Sequence, residues 1–243
     1  MKLKDELLKL IRSVVNPLGY DIVKISASNP FHLIVNQLRL NNITVVLDVG
    51  ANAGQYSMEL RKAGYRDQII SFEPLSDAYR SLSANSSRDK DWNVYNYALG
   101  ETERMATINV SAHSPSSSFL PMTDTHRNAA PGSDYIKEER IEIKTLDAVY
   151  NSLGIEGEKV FMKVDTQGYE KKVIDGAAKS LSEIKGIQLE LSATKLYDGE
   201  ENYYTMCSFM DDKNFRLVRV IPGFTDKKNG EMLQFDAIFI KND

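Results

Sequence analysis

Between Val45 and Tyr56 the chain reads Val-Val-Leu-Asp-Val-Gly-Ala-Asn-Ala-Gly-Gln-Tyr, an apolar β-branched run that passes through two glycines into helical spacing. No other segment limits the fold as strongly. A buried strand feeding a glycine turn and then a helix puts backbone N–H groups and a helix N-terminus at the strand's carboxyl end, where α/β sheets bind ligands. The residues of the turn narrow the ligand. A dinucleotide fingerprint needs glycine at 50, 52 and 55, but Asn52 and Gln55 hold the latter two. Asp48 at the strand end would repel a diphosphate and attract an amine or sulfonium cation, so a cationic amino-acid-like ligand fits better.

Strand-like runs and helical patterns alternate through the rest of the chain. Thr44 to Val49, Gln68 to Phe72, Trp92 to Ala98, Val160 to Val164 and Ile187 to Leu191 read as strands. Gln55 to Lys62, Ser76 to Ala84 and Glu170 to Ile184 read as helices between them. Such alternation predicts an α/β, doubly wound, mostly parallel sheet. Phe215 to Val220 and Phe235 to Ile240 are separated only by turn residues, which predicts an antiparallel hairpin at one sheet edge. Ser111 to Arg140 breaks the rhythm with Ser116 to Ser118, Pro115, Pro121, Pro131-Gly132, His113 and His126. It reads as a long loop between extra strands at Arg104 to Val110 and Arg140 to Lys144, either a lid or substrate loop or a merely tolerated insertion. Leu3, Leu7, Leu10, Ile11, Val14 and Val15 recur at helical spacing up to Asn16-Pro17. The expected organisation is an N-terminal helical cap over 1–42 and one sheet domain over 43–243, with a loop insertion at about 111–140.

Composition removes several classes of function. Thirty Lys and Arg against 34 Asp and Glu leave a net charge of −4, with no basic stripe for nucleic acid. No apolar run approaches the roughly 20 residues of a transmembrane helix. The single cysteine, Cys207, forms no internal disulfide, and no Cys/His cluster has zinc spacing, so the cytoplasm is the expected compartment. No metal is expected, because Asp165 and Glu190 lack an evident third ligand.

Glu73, in Ser71-Phe72-Glu73-Pro74, ends the second strand nineteen residues after Gly54, where an acidic side chain can accept hydrogen bonds from both hydroxyls of a ribose. The competing reading is a carboxylate favoured by a helix N-terminus. Taken with the turn, these residues resemble the class I S-adenosylmethionine-dependent methyltransferases, and more narrowly the FkbM family. The narrower resemblance rests on Asn96 to Gly100, the run from Phe161 to Glu170, and Phe235 to Ile240, with Thr145-Leu146-Asp147 and the serines at 116 to 118 in support. It covers about Ile43 to Lys241. It implies a Rossmann-like, seven-stranded sheet with an antiparallel last strand, preceded by N-terminal helices.

The resemblance also implies roles. Gly50, Ala51, Asn52 and Gly54 would lie beside the methionine part of S-adenosylmethionine, followed by Tyr56, with Asp48 near its amino group. Glu73 and Pro74 would meet the ribose, and Asn96 and Ala98 the adenine. Thr166 and Gln167 depart from the Val-Glu usual in the family's Asp-Val-Glu-Gly run, which removes an acidic side chain at 167.

A hydroxyl acceptor needs a base. Asp165 ends the strand expected beside the Asp48 strand, so it is the first candidate for base or acceptor-orienting residue and a further cofactor contact; its alternative is to cap the next helix. Lys163 interrupts a central apolar strand and needs a carboxylate partner, for which Glu190 is the candidate. His113 and His126 are the other candidate bases. The activity expected is methyl transfer to a hydroxyl of a sugar, glycan or secondary metabolite. A nicotinamide-dependent oxidoreductase and a catalytically inactive cofactor-binding module are the alternatives. Beyond the small-molecule or glycan acceptor, the partner considered is a second copy, through the N-terminal helices.

Overall fold

The computed structural model describes residues 11–19 and 29–242. Leu3, Leu7 and Leu10 of the expected first helix lie outside these residues. Positions 11–15 are helical and pass into a 3-10 turn at Asn16–Leu18, and Ile11, Val14 and Leu18 are exposed.

Seven strands form the central sheet: β1 (Val45–Val49), β2 (Gln68–Phe72), β3 (Trp92–Tyr95), β7 (Val160–Val164), β8 (Ile184–Ser192), β9 (Phe215–Pro222) and β10 (Gln234–Lys241), in the order β3-β2-β1-β7-β8-β10-β9. The first five are mutually parallel, and β10 runs antiparallel to both its neighbours. Alternate residues of β1 enter two cores on opposite faces. Val45, Leu47 and Val49 join one with Met162, Leu189 and Phe239, whereas Val46 joins the other with Phe161, Ile238 and Leu60. Burial on both faces explains why β1 and β7 read as unbroken apolar runs.

Two helices cover the second face where the site forms. Helix α1 (Pro30–Leu40) starts on the Asn29 side chain, which accepts from the N–H groups of Phe31 and His32, with proline at its first position. It buries Ile34, Val35 and Leu38 against Leu60 of α2 (Gln55–Lys62) and Ile69 of β2.

Three expected elements differ, each for a local reason. The third strand stops at Tyr95, because the Asn96 side chain donates to the carbonyls of Glu73 and Pro74 and bends the chain. Ala98–Leu99 (β4) then pairs with β6 (Tyr135–Lys144), which pairs with β5 (Arg104–Ser111) in a second, three-stranded sheet. The helix expected over Glu170 to Ile184 ends at Asp175: a Cβ at Gly176 would lie 1.9 Å from the Gly100 carbonyl oxygen, and this close approach turns the chain. β8 accordingly begins at Ile184. The long loop is shorter than expected, spanning 112–134, and contains a helix at Asp124–Ala129.

Candidate active site

The carboxyl ends of β1, β2, β7 and β8 open into a cavity of about 490 Å³. Its floor is the turn after β1. Gly50 N–H and Ala51 N–H donate to the Phe72 carbonyl, at 3.1 and 3.0 Å, stitching the turn to the end of β2. Gly50 has φ 75°, and a Cβ there would stand 1.9 Å from the Asp165 carbonyl oxygen, so only glycine fits between the two strand ends. Asn52 takes φ 49°, a left-handed conformation its short polar side chain tolerates. Its N–H donates to Glu73 Oε2 at 2.8 Å, and its side-chain amide donates to Ser114 Oγ at 2.8 Å.

Glu73 is nearly fully buried, and its second oxygen accepts from Leu75 N–H at 2.8 Å. Burial pushes its pKa up to about 7, against the pull of these two backbone donors. Each oxygen keeps a second lone pair for a ligand hydroxyl. Beyond it lies an apolar slot lined by Phe72, Leu75, Ala98, Leu99, Ile108 and Phe119.

The opposite end is polar. Parallel register aligns Ser71, Asp48, Lys163 and Gln188 across β2, β1, β7 and β8 on the face toward α2. Lys163 Nζ lies 3.2 Å from Asp48 Oδ1, 3.4 Å from Asp165 Oδ2 and 3.2 Å from the Gly50 carbonyl oxygen, to which it donates. The contact with Asp48 is an ion pair rather than an aligned hydrogen bond. Burial disfavours the ammonium, but Asp165 and Asp48 outweigh it and hold Lys163 charged. Ser57 Oγ donates to Asp48 Oδ2 at 2.8 Å, and the Tyr56 hydroxyl donates to Gln188 at 2.9 Å. Asp165 is the exposed member of this group, its side chain 34% accessible at the cavity wall.

Gln167 joins the carboxyl groups at this end. Its amide nitrogen donates to Asp165 Oδ1 at 2.8 Å and to Glu190 Oε2 at 2.6 Å. Gln234 donates to the same Glu190 oxygen at 3.0 Å. Burial raises the Glu190 pKa well above its ordinary value, with the charges of Asp165 and Asp236 adding to it. Burial likewise lifts Asp236 to about 6.

Several sequence expectations need correction. Asp48 does not line the cavity: it faces α2 beneath the turn, with one oxygen on Ser57 and the other facing Lys163. Lys163 pairs with Asp48 and Asp165 rather than with Glu190, because the register sets Gln188, not Glu190, beside it. Asp165 does not cap the following helix. Glu170 accepts from Thr166 and Gly168 N–H instead, and burial lifts its pKa to about 7. Gly54, at φ 87°, lies under Trp92 and Leu82 rather than at the cavity, and Asn96 bends the chain from outside it. Neither histidine lines the cavity. His113 stands 3.4 Å from Ser116 Oγ; His126 is buried edge-on to Tyr197, with burial pushing its pKa down to about 4. Gly50, Ala51, Asn52, Tyr56, Glu73, Pro74, Ala98, Lys163, Asp165 and Glu190 all line the cavity.

Gln188 and Asp236 at the polar end, and Phe31 of α1 against Tyr56 with ring centroids 5.6 Å apart, were not anticipated. The same signal that marked Lys163 was available for the first two: a polar residue inside an apolar strand. Phe31 carried none. Among the described residues no group of three or more His, Cys, Asp or Glu is arranged to hold a metal ion. None of the described helices is long and apolar enough to cross a membrane.

Residues 48–217 match the model of the methyltransferase FkbM domain. The chain belongs to this family. It is also 27% identical over 181 residues to the AMB antimetabolite synthetase AmbE of Pseudomonas aeruginosa, a match spanning 60% of this chain but only 8% of that protein. A solved structure of an uncharacterized protein from Listeria monocytogenes serotype 4b superposes with a TM-score of 0.50 at 7% identity, covering 89% of this chain and 68% of that one. The 1,6-didemethyltoxoflavin-N1-methyltransferase of Burkholderia thailandensis gives a TM-score of 0.49 at 12% identity, over 98% and 90% of the two chains. At 7% identity the Listeria likeness is one of fold alone. Residues 48–217 therefore form a methyltransferase domain of the FkbM family, which displaces the oxidoreductase alternative.

Proposed function

We propose that this FkbM methyltransferase carries a methyl group from S-adenosylmethionine to a hydroxyl of a sugar, glycan or secondary metabolite. The observation that carries the reading is the Asp165 carboxylate, which stands at the cavity wall beside the glycine turn with Lys163 and Gln167 holding its two oxygens. The cavity fits the cofactor. Gly50 leaves a cradle that any Cβ would fill, Glu73 offers acceptors for ribose hydroxyls, and the slot around Phe72, Ala98 and Phe119 suits an adenine ring. Glu59, Glu73, Asp165, Glu190 and Asp236 line the cavity, and the one basic side chain among the described residues that line it, Lys163, is already paired, so a cationic sulfonium is favoured over a diphosphate.

When bound, S-adenosylmethionine supplies an electrophilic methyl group on a positively charged sulfur for in-line displacement. Asp165, at the cavity wall beside the glycine turn, would take up the acceptor's hydroxyl proton during the transfer. Lys163 keeps Asp165 oriented, and Gln188, Asp236 and the Phe31–Tyr56 wall offer the acceptor polar and apolar contacts. Alignment by this wall supplies much of the acceleration. A neutral acceptor suits so acidic an enclosure, whereas a sugar phosphate would be repelled.

Isothermal titration with S-adenosylhomocysteine tests the cofactor reading, and absence of binding overturns it. A screen of neutral hydroxylated acceptors against sugar phosphates and amines, followed by S-adenosylhomocysteine formation, tests the rest; transfer confined to amines would refute the hydroxyl assignment. A homodimer through the N-terminal segment, where Ile11, Val14 and Leu18 are exposed, is part of the same reading, and light scattering of the full chain reports it.

A further inference from the structure

Gln167 occupies a position that the turn after β7 makes unusual. Its backbone takes φ 55°, its side chain is buried, and its carbonyl oxygen accepts from Ser118 Oγ at 2.7 Å. Its amide has one usable orientation. The oxygen accepts from the Tyr197 hydroxyl at 2.7 Å, while the nitrogen sends one N–H to Asp165 and the other to Glu190. A flipped amide would set its oxygen against two carboxyl oxygens and lose the hydrogen bond that the Tyr197 hydroxyl donates to it. Tyr197 is itself fully buried, and its hydroxyl lies 3.4 Å from the Ser116 carbonyl oxygen, so the chain of contacts runs from the 112–134 segment through Tyr197 and Gln167 to the cavity wall.

We propose that Gln167 is a positioning residue for Asp165: its amide nitrogen holds Asp165 aimed at the cavity while keeping Glu190 beside it, with its orientation set by Tyr197 and Ser118. The inference rests on the reading of Asp165 as the residue that meets the acceptor. An acidic side chain at 167 would bring a third carboxyl group to Asp165 and Glu190, and an aliphatic one would leave two carboxyl groups facing each other without a shared donor. Glutamine resolves both, because one –NH2 group supplies two donors at a single point. The groups that face Asp165 are Lys163 on its own strand, Glu190 on β8, Asp236 on β10 and Glu170 on the helix that follows, with Tyr197 beyond the amide. Lys163 is the only cation among these groups, so the Gln167 donor is the second support for the negative charge.

The test needs neither acceptor nor cofactor, so its outcome is separate from that of the methyl-transfer reading. Carbon-13 NMR of protein labelled at Asp side-chain carboxyl carbons follows the Asp165 titration, with the resonance assigned by its loss in Asp165→Asn. Gln167→Leu is expected to move the midpoint up by about one pH unit or more, the size of one hydrogen bond to a charged group. Tyr197→Phe, which leaves the amide in place but frees it to turn, is expected to move it the same way by less, and it stands in if the leucine variant fails to fold. Thermal unfolding of each variant reports stability separately. A midpoint unmoved from wild type in a folded variant, even with stability reduced, would overturn the proposal and leave Gln167 a packing residue.

Discussion

Replacing Glu73 by glutamine keeps the side chain's size and removes the charge that the site holds at some cost. The carboxyl group is almost fully buried, and burial lifts its pKa from 4.5 to about 7. At pH 8 it is ionised, and its two oxygens, already fixed by Asn52 and Leu75 N–H, each have a lone pair free for a ribose hydroxyl. A hydrogen bond to a charged acceptor contributes about 1.5–3 kcal/mol, against about 0.5–1.5 for a neutral one. Glutamine retains one acceptor oxygen and turns an –NH2 group toward the second hydroxyl. The loss at pH 8 should therefore be about 1.5–3 kcal/mol, or roughly a 10- to 150-fold weaker Kd for S-adenosylhomocysteine by isothermal titration. The pH dependence separates charge from shape. Wild-type affinity should fall as pH drops through 7 and the carboxyl group takes up a proton, whereas the Glu73→Gln affinity stays flat, so the two converge near pH 5.5. Equal affinity at pH 8 would refute the ribose assignment. A deficit of the same size at pH 5.5 and pH 8 would mean that the variant distorts the Asn52 turn, and that charge plays no part.

Asp165→Asn should leave S-adenosylhomocysteine affinity within about twofold while lowering kcat by roughly 100-fold or more with an acceptor from the screen, the usual range for loss of a general base; unchanged kcat would remove Asp165 from the chemistry. Lys163→Met leaves the fully buried Asp48 facing no cation, so urea unfolding should show a loss of about 3–5 kcal/mol. A loss below about 1 kcal/mol would mean that the Lys163–Asp48 contact contributes little to the stability of the fold. Glu170 and Asp236 both have folded pKa values raised by burial, to about 7 and about 6. The native state therefore binds protons more tightly than the unfolded chain, so their contribution is fully present below the unfolded carboxyl pKa and is lost as pH rises toward 7. For Glu170 the rise from 4.5 corresponds to about 3 kcal/mol at most. The ligand-free protein should thus melt at a higher temperature at pH 5.5 than at pH 7.5, and the reverse order by calorimetry would show these carboxyl groups to be less desolvated than the structure places them.

Much of the fold was legible in the chain because its determinants are local. The apolar run of β1, the glycines at 50 and 54 and the helical spacing that follows each act within a few residues, and together they specify strand, turn and helix. The hairpin of β9 and β10 was legible for the same reason, as only turn residues separate them. Cavity-lining residues were found where a polar side chain interrupts an apolar run or ends a strand, as at Lys163, Asp165, Glu73 and Glu190.

What the tertiary structure alone decided was who meets whom. Lys163 announced that it needed a carboxylate, but the choice of Asp48 over Glu190 depends on the register of β7 against β1, more than a hundred residues away in sequence, and against β8, which sets Gln188 beside it. Asp48 looked like a ligand contact at a strand end, yet strand alternation turns it toward Ser57 and away from the cavity. Gln167 looked like the loss of an acid, and only the approach of Glu190 and Tyr197 makes its amide the joint between them. Local sequence determines backbone conformation because dihedral preferences and periodicity are properties of neighbours. The pairing of charges belongs to the assembled sheet, because a Coulomb interaction is decided by distances that no spacing along the chain encodes.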